Sequence, residues 1–136
     1  MSTLSPTRNA SRRAAPAAPR PETGAVLTKA LIRAAVLLGL SNAALARVLG
    51  VSEASVSRLF SGSRAIDPAS KEGELALLLV RVYRSLDSLV GTDAAQRKAW
   101  MEGYNRALNG RPAELIARAD GLVAVVSYLD AMRAPA

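Results

Sequence analysis

The chain has 136 residues with neither cysteine nor histidine, so disulfides, thiolate or imidazole metal sites and the commonest general base are excluded. No apolar run approaches the roughly 20 residues that cross a bilayer. A cytoplasmic, non-enzymatic protein without cofactor or metal, and without a membrane partner, is the expectation. The net charge of +7 is unevenly placed: residues 1–66 hold nine basic and two acidic side chains, and residues 67–136 hold nine of each. A positive half attracts polyanions such as nucleic acid.

Residues 1–23 combine four prolines with four arginines and only one large aliphatic residue, Leu4, which predicts a disordered basic tail. Such a tail is either a flexible leader or an arm that lies along DNA. Residues 25–39 place Val26, Leu27, Ala30, Leu31, Ala34, Ala35 and Leu38 at helical spacing, and Gly39 ends that helix. Ser41 is a natural cap for a second helix reaching Gly50, and Ser52 for a third reaching Phe60, with Gly62 as its stop. Residues 63–70, with Asp67-Pro68, read as a connector.

A long helix is predicted from Ala69 or Glu72 to Val90, with Leu75, Leu78, Leu79, Val82, Leu86 and Leu89 as its apolar stripe. Thr92 or Asp93 caps a helix running through Trp100 towards Tyr104. Residues 105–111 are irregular, Pro112 opens a short helix with Leu115 and Ile116, and Asp120-Gly121 breaks it. A last helix covers residues 122–132. The predicted fold is all-α, with six to eight helices and no strand. The division is residues 1–23 as tail, 24–66 as a helix-turn-helix bundle, and 67–136 as a helical dimerisation and partner-binding unit.

Residues 42–61 carry the sharpest signal. Leu45, Ala46, Leu49, Val51, Val56 and Leu59 can all point inward, Ala46 is small enough for a helix crossing, and Gly50 tolerates the left-handed corner. The outward side of the second helix then holds Ser52, Glu53, Ser55, Ser57 and Arg58. Such a helix enters a major groove, where small hydroxyls permit close approach and Arg58 reaches a guanine edge or a phosphate. Ser41 and Asn42 are candidate phosphate contacts at a helix start, and Arg47 and Arg64 are candidate positioning charges. An ordinary helical hairpin buries apolar residues at the same spacings, which is the bland alternative.

The string SNAALARVLGVSEASVSRLFSGSR resembles the Cro/repressor-like helix-turn-helix class, over residues 25–66. Further on, Trp100, Asn105, Leu108, Gly110, Pro112, Leu115, Ile116, Gly121, Val125 and Leu129 follow the order typical of the toxin-binding domain of Xre/MbcA/ParS-type antitoxins. That resemblance implies an antitoxin of a type II toxin–antitoxin system. Its expected partners are a RES-domain toxin that degrades NAD⁺ or ADP-ribosylates a target, and double-stranded operator DNA. It also implies that the last helix and tail, around Met132, Arg133 and Ala134, block the toxin's nucleotide pocket. Asn105, Arg111, Pro112 and Tyr128 join Met132 and Arg133 as candidate toxin contacts. Repression as a homodimer or a larger complex on a palindrome is the companion expectation. The rival reading is a stand-alone regulator whose second half only dimerises.

Overall fold

The computed structural model describes residues 21–133. Among them are seven helices and no strand: α1 (Pro21–Leu37), α2 (Asn42–Leu49), α3 (Glu53–Ser61), α4 (Lys71–Val90), α5 (Ala94–Glu102), α6 (Pro112–Leu115) and α7 (Ala119–Arg133). The all-α expectation stands. The expected disorder of residues 1–20 lies outside the described residues. Residues 21–23, read as tail, are instead the first turn of α1. Pro21 suits a helix start, where its missing N–H has no helical partner to lose.

Helix ends follow the local chemistry. Ser41, Ser52 and Ser70 each accept a backbone N–H from three residues on, at 3.0, 3.1 and 3.0 Å. Asp93, not Thr92, caps α5, through the amides of Ala95 and Gln96. Gly50 and Gly62 close α2 and α3 with φ of 70° and 85°. That left-handed conformation costs a residue with a Cβ.

Packing centres on α4, which contacts α1 on one flank and α7 on another. Its buried side chains, Ala76, Leu79, Val80, Val82 and Leu86, meet Leu31, Ala34 and Ala35 of α1 and Leu122, Val125, Val126 and Leu129 of α7 in one continuous core. α2 and α3 pack on each other and close over it with Leu45, Leu49, Val56 and Leu59, all nearly inaccessible. The connector is anchored by Thr28, whose hydroxyl donates to the Gly24 carbonyl at 2.7 Å and accepts from the Ile66 amide at 2.8 Å. No helix of the described residues is long and apolar enough to cross a membrane.

Gly121 departs from its expected role. It does not break a helix; α7 already starts at Ala119, and the chain turns at residues 116–118. A Cβ built on Gly121 would lie 2.0 Å from the carbonyl oxygen of Leu115. The residue is required because α6 and α7 approach backbone to backbone there. Gly121→Ala therefore forces the two helices apart and costs at least about 2 kcal/mol in a chemical or thermal melt. A melt unchanged from wild type contradicts this packing.

Candidate functional site

The outer side of α3 faces solvent. Val56 and Leu59 are buried, while Glu53, Ala54, Ser57, Arg58, Phe60 and Ser61 are exposed and Ser55 is half-buried. The hydroxyls do not hang loose: Ser52 Oγ donates to Ser55 Oγ at 3.1 Å, and Arg58 Nη2 donates to Ser55 Oγ at 3.2 Å. This chain of bonds draws the guanidinium back along the helix towards its N-terminal turn. The exposed helix start, Ser52, Ser55 and Arg58 thus share one surface, while Ser57 is exposed on the other side of the helix from Ser55. Glu53 sits in the first turn, where a carboxylate is favoured by the helix dipole.

Ser41 and Asn42 are exposed at the start of α2, and Ser41 Oγ is engaged as the cap. Arg47 is exposed and enters no ion pair among the described residues. Arg64 is different. Its two terminal nitrogens donate to both carboxylate oxygens of Glu72 at 2.8 and 2.7 Å, in a half-buried fork that ties the connector to α4. The bond to Glu72 raises the Arg64 pKa further, partly opposed by burial. The guanidinium of this candidate DNA-positioning charge is thus committed to an internal partner. Phe60, exposed at the end of α3, was missed, because an aromatic at that spacing reads as core. It lines a cavity of about 310 Å³ with Thr28, Lys29, Ile32, Leu59 and Arg64.

At the other end of the molecule the candidate contacts divide. Asn105 closes a six-residue loop: its N–H donates to the Gly110 carbonyl at 2.8 Å, the Gly110 N–H returns to its carbonyl at 3.2 Å, and its side-chain oxygen accepts from the Leu108 amide at 3.1 Å. Pro112 is buried as the first residue of α6. Asn105 is half-buried with its side-chain oxygen committed to the loop, and the Pro112 ring is packed inside. Arg111 is exposed beside Glu114 at 3.6 Å. Tyr128 is half-buried, stacked on Trp100 with centroids 6.4 Å apart. Met132 is 55% exposed, and Val123, not anticipated, is 49% exposed.

Arg133 is exposed overall but donates to Ser85 Oγ at 2.9 Å; Ser85 in turn donates to Asp130 at 3.0 Å, and Arg81 pairs with Asp130. These bonds fasten the end of α7 to α4. Ala134 lies outside the described residues. In the first turn of α7, the Asp120 carboxyl is held below its ordinary range by a bond from Arg118 at 3.2 Å, then by the Gly121 amide.

Two family models match this chain. Residues 17–81 match the antitoxin Xre-like helix-turn-helix domain, and residues 85–134 match the antitoxin Xre/MbcA/ParS C-terminal toxin-binding domain. The chain belongs to the Xre/MbcA/ParS-type antitoxins. No curated protein matches it. The antitoxin thus joins a DNA-binding helix-turn-helix to a toxin-binding domain, and the two matched segments adjoin within α4.

Two outcomes check the site's architecture. Ser52→Ala removes the cap of α3 and lowers the antitoxin's stability by about 1 kcal/mol, measured by denaturant unfolding. Acidification loosens the start of α7. Because the folded Asp120 pKa is lowered, its stabilisation is present above the ordinary aspartate value and is lost as pH falls through the lowered one. Asp120→Asn removes that part of the acid dependence in amide exchange at Leu122 and Val123.

Proposed function

We propose that the antitoxin neutralises a RES-domain toxin, one that degrades NAD⁺ or ADP-ribosylates a target, by laying α7 and the chain beyond it across the toxin's active site. The same molecule represses its own operon, with α3 in the major groove and Ser41 and Asn42 on flanking phosphate. A homodimer, alone or with toxin, reads a palindrome whose half-sites lie about one helical turn apart, roughly 34–36 Å. It acts in the cytoplasm as a binding protein.

The observation that carries the DNA half is the exposed serine side of α3 with Arg58 held against it. Lys29, Arg33, Arg47 and Arg58 are all exposed on the same unit, so much of its positive charge remains available to phosphate. The toxin half is supported by the match of residues 85–134 and by the exposed apolar side chains of Val123 and Met132 on α7. A stand-alone regulator has no use for such a domain, and co-expression with the product of the adjacent gene separates the two readings. A stable purified complex with no NAD⁺ loss is expected; two proteins that elute separately contradict the toxin assignment.

Deleting residues 122–136 is not a clean test, because Leu122, Val125, Val126 and Leu129 are core residues whose removal unfolds the bundle. Surface substitutions are. Arg58→Ala is expected to weaken binding to the DNA upstream of the antitoxin's own coding sequence by about tenfold or more, equivalent to about 1.4 kcal/mol. Loss of a phosphate contact instead lowers the slope of log K against log salt by about 1. Toxin neutralisation stays intact in that variant. Met132→Glu does the reverse, weakening the complex with toxin while DNA affinity is unchanged. If each variant affects both assays or neither, the separation of the two surfaces is wrong.

A further inference from the structure

Helix α5 is anchored to both ends of the molecule by side chains one turn apart. Trp100 stacks on Tyr128 of α7, with ring planes 24° from parallel. Three residues earlier, the Arg97 side chain is only 7% exposed, and its Nε donates a 2.8 Å bond to the carbonyl of Leu37, the last residue of α1. Among the described residues, this is the only hydrogen bond that joins the segment before α4 to the segment after it. The same guanidinium lies 3.8 Å from the Asp87 carboxylate and 6.0 Å from the centre of the Tyr83 ring, both on α4.

The surroundings leave that bond little support. A cleft of about 290 Å³, lined by Leu37, Leu38, Gly39, Ala94, Lys98 and Glu102, separates the rest of α5 from the end of α1. At its start α5 hangs from Gly91, whose φ of 69° and ψ of −153° fall in a region essentially restricted to glycine. The glycine is exposed and nothing lies within 4 Å of where a Cβ would stand. The helix is seated in the core by Met101, 1% exposed, so a shift of it on the glycine joint moves the polar tether and the ring stack together. Leu37 is four residues before Ser41, the cap of α2, so the tether also fixes where the helix-turn-helix begins.

We infer that α5 is the coupling element between the two surfaces, with Arg97 as its positioning residue. Displacement of Tyr128 by a protein docking on α7 shifts Trp100, and Arg97 transmits the shift to the α1–α2 corner. Operator affinity and partner affinity then change each other by the same factor, as linkage requires. The inference rests on the assignment of α7 as the docking helix.

Amide exchange on the full, free chain tests it. The Leu38 and Leu40 amides, bonded to the Ala34 and Ala35 carbonyls at 2.8 and 2.9 Å, report the end of α1. Val56, bonded to the Ser52 carbonyl at 3.2 Å, serves as the reference for overall stability. Tyr128→Ala is expected to speed exchange at Leu38 and Leu40 by about fivefold or more relative to Val56. In an Arg97→Gln background the same substitution adds nothing. Asp87→Asn, which removes the carboxylate facing the Arg97 guanidinium but leaves it a carbonyl oxygen, gives a smaller transmitted effect and serves if Arg97→Gln does not fold. Leu38 and Leu40 indifferent to Tyr128, or an effect that survives loss of the tether, overturns the relay. If transmission occurs but added RES-domain protein leaves α7 unprotected, the partner named here is overturned instead.

Discussion

Helix α4 has to be apolar on two flanks, and the rest of the structure takes its position from that requirement. Twenty residues span about 30 Å, long enough for α1 to rest along one flank and α7 along another. Gly73 contributes by its size: a Cβ there would meet the Asp67 carbonyl oxygen at 2.4 Å, so the connector from α3 crosses the start of α4 in van der Waals contact. Ser85 contributes by its polarity, as the buried hydroxyl that receives Arg133 and gives to Asp130. An unpaired hydroxyl there would carry a desolvation cost of about 1–3 kcal/mol, which these two bonds offset. The helix-turn-helix and the last helix of the toxin-binding domain therefore hang from one rod.

Charge is distributed by the same logic. The arginines that sit between elements are committed internally: Arg64 to Glu72, Arg81 to Asp130, Arg97 to Leu37 and Asp87, and Arg133 to Ser85. Those on the outer faces of α1, α2 and α3 point to water. The positive field of the N-terminal half is thus weaker than its residue count implies by at least one guanidinium, that of Arg64. Among the described residues what remains is Lys29, Arg33, Arg47 and Arg58, all exposed on α1, α2 and α3.

The helix-turn-helix was legible because its determinants are local. A serine cap, an apolar repeat and a glycine in the left-handed corner act within four residues of one another, so Ser41, Gly50 and Ser52 could be read directly. Gly121, Arg64 and Arg97 could not. The first looks like a helix breaker until Leu115 is seen against it, and the others look like surface charges until Glu72 and Leu37 are found 8 and 60 residues away in sequence. Asn105 and Pro112 show the converse: they stand out in the sequence as parts of a motif, and the structure uses them to close a loop and start a helix. These motif residues mark the fold, while Val123, exposed on α7, has no pattern in the sequence to announce it.

Operator recognition as proposed depends on α3 presenting its hydroxyl-rich flank to DNA. The most direct measurement is a backbone amide NMR titration of the full chain with a duplex taken from just upstream of its coding sequence. Shifts concentrated on residues 41–42 and 52–58, and fading as salt is raised, are what the structure predicts. Shifts confined to α4 or α7, with α3 silent while the duplex is bound, would contradict it.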